Sequence, residues 1–231
     1  MSWREFWNAD TPIYVNDRHK TVHYQRIADD FEKLLPDSDG RVVDYGCGEA
    51  LAASRVASRC GHLYLCDGAQ LVRDRLRQRL AAVANVTILS PEEFDTVADR
   101  SIDLIVVNSV VQYLSKEQLS TCLVQWHRKL KPSGRLVVAD VIPHGIGPLT
   151  DATALLRFAA ANGFLFAALA GLVRTFFSDY RRVRAQLGLA HYSEAEFLKV
   201  LRDAGFTAER MSWNFGHNDV RMAFGAHIST S

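Results

Sequence analysis

The sequence predicts a doubly wound α/β domain. Its sheet is seven-stranded and mostly parallel, with an antiparallel last strand and a helical insertion after strand five. Three observations carry this. Five short apolar runs alternate with helical patterns up to residue 140, and such alternation builds a parallel sheet with right-handed crossovers. The first run, RVVDY, empties into a glycine loop, GCGEA, that opens a helix, and an acid, Asp67, ends the next run. The last two strand-like segments are separated only by the short turn GHND, and parallel neighbours need a long crossover instead.

The elements follow in order. Residues 21–35 have apolar residues at helical spacing (Val22, Ile27, Phe31, Leu34, Leu35) and stop at Pro36. Strand one is residues 41–45. A helix over residues 50–59 ends near Gly61, and strand two is residues 62–66. Residues 71–81 put Leu71, Val72, Leu76 and Leu80 on one helical face, and strand three is residues 86–89. The SPEEF segment reads as a turn. Residues 102–108, IDLIVVN, form the continuous apolar run of a strand covered on both faces. Ser115 and Gln118 make a capping box for a helix to Leu130, which KPSG stops. Strand five is residues 135–140. The alternation breaks at Pro143 and resumes at a second capping box, Ser193–Glu196, whose helix ends at Gly205. Residues 207–215 and 220–228 are the closing strands. The expected organisation is an N-terminal helical lid, residues 1–36, and a main domain, residues 37–231, that carries a helical cap at 143–192.

Composition narrows the class. The chain has 231 residues, 23% of them charged, with a net charge of +1, which gives no nucleic-acid signal. Basic runs at 73–79 and 181–184 read as solvated faces. The four cysteines (Cys47, Cys60, Cys66, Cys122) form no CxxC pair and no zinc-type spacing, so no metal is expected and reduced, cytoplasmic thiols are. The N-terminal residues lack the apolar core of a signal peptide. The longest uncharged run, residues 158–173, is shorter than the roughly 20 residues of a membrane span.

In an open α/β sheet a ligand lies beyond the carboxyl ends of the strands. Gly46 and Gly48 let backbone approach it, and the following helix start suits a carboxylate. Asp44 can hold an ammonium. Asp67, about twenty residues past the loop, can accept both hydroxyls of a ribose. The spacing fits a nucleoside-containing cofactor and alone does not separate NAD from others. The loop is not GxGxxG, and no second nucleotide half is evident, which argues against NAD.

DYGCGEA, CDGA, DLIVVNSVVQYL and LKPSGRLVVAD together resemble the class I S-adenosylmethionine-dependent methyltransferases, over about residues 40–140 and more weakly over 193–227. The resemblance implies the Rossmann-like methyltransferase fold, an enzyme, and S-adenosyl-L-methionine as cofactor. It implies that Asp44, Gly46, Cys47 and Gly48 line the methionine end and Asp67 the ribose. Gly68 and Ala69 would then flank the adenine, with Glu92 or Glu93 near its amine and Asn108 and Ser109 near the sulfonium. Two departures stand out. Ala50 replaces a frequent third glycine, and Ser90–Glu93 stands where an aspartate is usual.

The acceptor side is read from the residues. Aromatics and histidines of the N-terminal segment suit a lid, with Tyr14, Arg18 and His19 as cofactor contacts. Gln112, Tyr113, Phe158 and Tyr180 are candidate substrate contacts. His144, His217 and His191, in that order, are candidate general bases. The insertion's apolar run, apolar nearly all round, must be buried, paired or against lipid. A pocket wall or dimer face ranks first and a peripheral membrane surface second, for a monomer or homodimer. The function expected is methyl transfer to oxygen or nitrogen of an apolar or aromatic small molecule. The rival readings are a catalytically inactive partner subunit and an NAD-dependent oxidoreductase.

Overall fold

Seven strands form one sheet in the order β3-β2-β1-β4-β5-β7-β6. The computed structural model describes residues 3, 8, 14–36, 38–176 and 188–229. Strands β1 (Arg41–Tyr45), β2 (His62–Cys66), β3 (Val86–Leu89), β4 (Ile102–Asn108) and β5 (Leu130–Val141) pair in parallel. Strand β7 (Met222–Ile228) is antiparallel to both β5 and β6 (Phe206–Arg210). The connections are α1 (Asp17–Glu32), α2 (Ala53–Ala57), α3 (Gln70–Arg79), α4 (Pro91–Phe94), α5 (Lys116–Lys129), α6 (Pro148–Asn162), α7 (Leu165–Phe176) and α8 (Glu194–Asp203).

The sheet separates two apolar layers. On one face Val43, Ile105, Val107, Leu136 and Val138 meet Trp126 of α5 and Phe197 of α8. On the other Val42, Leu63, Leu104, Val106 and Val137 meet Phe31 of α1 and Val56 of α2. Strands β1, β4 and β5 lie between these layers, which is why their sequences are continuous apolar runs.

Several boundaries differ from the sequence reading, each for a local reason. Helix α2 begins at Ala53, not Ala50, because Ala50 sits at φ +39, outside helical space. SPEEF is a helix, not a turn: Ser90 accepts from the Glu93 N–H, and the Glu93 carboxylate accepts from the Ser90 N–H. KPSG does not stop α5 as a turn but begins β5, where Leu130 pairs with Ile102 ahead of a register shift. The closing strands are shorter than expected, and residues 211–221 connect them, not GHND alone. The insertion run is two helices, because Gly163 at φ +74 ends α6. Nor is it apolar all round in its surroundings. Ala159, Phe164 and Ala168 are buried, whereas Phe166, Leu169 and Val173 face outward. Among the described residues, no helix is long and apolar enough to cross a membrane.

Candidate active site

The glycine loop is held down by the strand beside it. The Gly46 and Cys47 N–H groups both donate to the Cys66 carbonyl, at 2.7 and 3.1 Å. Asp67 then ties β2 back to the loop: its carboxylate accepts from Gly48 N at 2.9 Å and from Ala69 N at 2.8 Å. Tyr24 Oη accepts from Glu49 N at 3.0 Å, joining the loop to α1. Gly46 at φ +78 cannot carry a side chain. An added Cβ would lie 2.1 Å from Val110 Cγ2, besides the left-handed backbone. Gly46→Ala is therefore expected to cost about 3 kcal/mol or more and to lower the thermal midpoint by roughly 10 °C; a melt within 2 °C or so of wild type would refute this close packing.

A cavity of about 1280 Å³ opens beyond the carboxyl ends of the strands. It exceeds the roughly 1,000 Å³ upper range of single-ligand pockets, so it has room for two molecules. Its wall takes Asp44, Gly46, Cys47 and Gly48 from the first loop, and Asp67, Gly68 and Ala69 from the second. Glu92, Asn108, Ser109, Gln112 and Tyr113 follow, with Tyr14 and His19 from the N-terminal side and His217 from the β6–β7 connection. Most of the sequence candidates thus converge on one space.

Five do not line it. His144 pairs with Glu196 of α8 at 2.8 Å, and both are more than half exposed. His191 lies beside His144, with ring centroids 6.4 Å apart. The insertion leaves and rejoins the sheet at Ile142 and Tyr192, next to α8, so both histidines turn away from the cavity. Glu93 is engaged in the capping box of α4. Arg18 braces the insertion by donating from Nε to the Asn162 carbonyl at 2.5 Å. Phe158 stacks on His217 from behind, at 4.5 Å and 16°. Tyr180, Phe6, Trp7 and the arginines at 181–184 lie outside the described residues.

Burial sets the charges. Asp44 is pushed up to about 7, by burial first and by the neighbouring Asp67 second. No hydrogen bond from a described residue reaches its carboxylate, which leaves an acceptor facing the cavity. Burial also raises Asp67, against the pull of its two backbone donors and Arg73. Burial pushes the Cys47 thiol well up, so it is no nucleophile. His19 is lowered to about 4 and His23 to about 3, burial being the larger cause and neighbouring histidines the smaller. His217 is lowered by burial, with Asp151 opposing. All three imidazoles are neutral at pH 7.

Tyr24 and His23, which the sequence offers as lid residues of the N-terminal segment, also line the wall, and sequence reasoning missed Asp140, Asp151 and Arg221 there. Asp140 had a signal, since it ends a parallel strand as Asp44 and Asp67 do. Asp151 and Arg221, ion-paired at 2.7 Å, are seventy positions apart and had none.

Residues 43–138 match the family of methyltransferase domains. No curated protein matches the chain. A chain from the complex containing the Haloferax volcanii Trm112 methyltransferase activator is 17% identical, with a TM-score of 0.63, covering 100% of this chain and 99% of that one. A TehB-like SAM-dependent methyltransferase from Corynebacterium glutamicum is 14% identical, with a TM-score of 0.56 and coverage of 98% and 94%. Magnesium protoporphyrin IX methyltransferase from Synechocystis, solved with bound SAM, is 15% identical, with a TM-score of 0.57 and coverage of 98% and 89%. At these identities the likeness is one of fold.

Proposed function

We propose that this protein, whose residues 43–138 match the family of methyltransferase domains, transfers a methyl group from S-adenosyl-L-methionine to an oxygen or nitrogen of an apolar or aromatic small molecule. The observation that carries this reading is the Asp44–Gly48 loop bonded to Asp67 at one end of a cavity with room for two molecules. The donor set fits the cofactor. An unpartnered carboxylate, Asp44, suits an ammonium. Asp67 keeps lone pairs for ribose hydroxyls after accepting two backbone donors, and Glu92 suits an adenine amine. When bound, the cofactor supplies an already activated methyl on a sulfonium, so the chain need supply no metal or covalent nucleophile.

The chain's own residues then orient and enclose. The N-terminal segment and the insertion act as one cover: Arg18 bonds Asn162, His19 stacks on Phe164 at 5.0 Å, and Val15 packs against Gly171. Closing this cover excludes water and holds acceptor and donor in line, which supplies much of the acceleration. His217, neutral and in the wall, replaces His144 as the group placed to take a proton from the acceptor.

Calorimetry with S-adenosylmethionine and with NAD tests the reading. Binding of S-adenosylmethionine alone, at micromolar strength, is expected. Binding of NAD alone would replace it with the oxidoreductase. Binding of S-adenosylmethionine with no label transferred to any small molecule of a broad extract would favour the inactive partner subunit.

A further inference from the structure

Helix α7 inverts the usual placement of large and small residues. Its small residues face inward. Ala168 is fully buried beside Phe164 and Ala159, and a Cβ added at Gly171 would overlap Val15. Its large apolar residues face outward: Phe166 is 87% exposed and Val173 64%, with Leu165 and Leu169 exposed beside them. At about 100° per residue, Leu165, Leu169, Val173, Phe166 and the exposed Ala170 share roughly 140° of the helix circumference, and no polar residue interrupts that arc. A helix that serves only its own core puts large apolar residues inward and charge outward. The outward arc of α7 therefore serves something else.

Helix α6 continues the same surface. Leu149 at its start is 85% exposed, and Arg157 is exposed two turns further on. Eleven described residues between 149 and 173 are exposed, and Arg157 is the one charged residue among them. No acid stands on this face. The sequence carries the same bias: residues 152–193 hold five arginines and a single acid, Asp179, in a chain whose net charge is only +1. An uncharged stripe beside cations and without acids complements an anionic lipid surface. Area argues against a second copy as the occupant. The outward apolar side chains present on the order of 500 Å², whereas a stable interface takes about 800 Å² from each partner. A bilayer asks for no matching shape. It takes up an apolar helix face at the acyl boundary while arginines reach the phosphates.

We propose that the α6–α7 hairpin is a membrane-docking surface, with the outward face of α7 seated in the interface of an anionic bilayer and Arg157 at the lipid phosphates. The helices lie on the membrane and do not cross it. The inward face of the hairpin stays on the protein, where Phe164 stacks on His19 of the cavity wall. Docking thus brings the cover of the cavity to the lipid.

The test is co-sedimentation of the full chain, without cofactor, with vesicles of phosphatidylcholine alone and with about 30% phosphatidylglycerol added. Binding to the anionic vesicles is expected at about fivefold or more above the neutral ones, and to fall severalfold as salt rises from about 0.1 to 0.5 M. Phe166→Ser combined with Leu169→Ser should lower it about tenfold or more, and Arg157→Gln about threefold. These side chains are exposed, so the thermal midpoint of each variant should stay within about 2 °C of wild type. No association with anionic vesicles, equal association with both lipids, or full binding by the double variant would each overturn the inference. So would a dimer in sedimentation equilibrium that the double variant dissolves, because the face would then belong to a second copy. Cofactor takes no part in these measurements, so their failure leaves the methyl-transfer reading standing, and the reverse holds too.

Discussion

Asp67→Ala is expected to cost both cofactor affinity and fold stability. One carboxylate serves two neighbours. It accepts from Gly48 N and Ala69 N, and its remaining lone pairs face the cavity. Hydrogen bonds to a charged group contribute about 1.5–3 kcal/mol each, so losing two ribose hydroxyls should weaken S-adenosylmethionine binding by about 100-fold or more. Leaving two backbone donors unpaired should cost a further 2 kcal/mol or so of stability. The relief of Asp44 from a like-charged neighbour offsets part of that. A fall of about 5 °C in the thermal midpoint is the expected net effect. Asp67→Asn keeps one acceptor oxygen but sets its amide nitrogen against the other backbone N–H, so it should recover at most half of the lost stability and little of the affinity. Calorimetry and thermal melts on both variants separate the two roles. Full S-adenosylmethionine affinity in Asp67→Ala would remove Asp67 from the cofactor site.

Asp67 shows what the sequence could and could not disclose. Its place at the end of an apolar run is written in the chain, and so is its distance from the glycine loop. That it also stitches the loop to β2 is not, because the stitch depends on how close β1 and β2 bring the two ends. The strands were legible for the same reason as Asp67. A strand buried on both faces must be apolar at every position, and β4 is 102–108 both in pattern and in the structure. Helix starts were legible where a capping box wrote them, at Ser115 and Ser193. The box at Ser90 carries the same signature, but its helix is only four residues long and leaves no helical apolar pattern in the sequence. The acceptor side was poorly legible. Asp140, Asp151 and Arg221 come from three segments and meet only through the tertiary fold, whereas His217 stands among the sequence candidates. Proximity in sequence misled at His144, which follows β5 directly yet swings to Glu196.

Asp44→Asn is expected to stabilise the protein while abolishing its response to S-adenosylmethionine. In the folded, ligand-free chain Asp44 titrates at about 7, against 3.8 for an ordinary aspartate. Below pH 3.8 or so both folded and unfolded chains hold the proton, and the carboxyl costs nothing. Between about pH 4 and 7 the unfolded chain releases it and the folded chain retains it, so stability falls as pH rises. Above pH 7 the full gap between the two values applies, on the order of 4 kcal/mol. Asp44 faces the cavity and keeps part of its surface, which lowers this to about 2–4 kcal/mol. An asparagine carries no charge and escapes that cost. The variant should therefore melt roughly 5–10 °C above wild type at pH 8, and at the same temperature near pH 4. Ligand binding runs the other way. An ammonium needs the ionised carboxylate, and with a midpoint near 7 its fraction rises about tenfold from pH 6 to pH 8. Wild-type affinity for S-adenosylmethionine should rise by about that factor, while Asp44→Asn binds weakly at every pH. The cofactor's own α-amino group, titrating at about 7.7–8.0, is half or more deprotonated at pH 8, which trims the observed rise to about three- to fivefold without reversing it. A carboxylate kept at a cost to the ligand-free fold, and repaid only when a cation arrives, is the mark of a binding group rather than a structural one. Parallel pH profiles of wild type and Asp44→Asn, in melting and in binding alike, would make Asp44 a bystander.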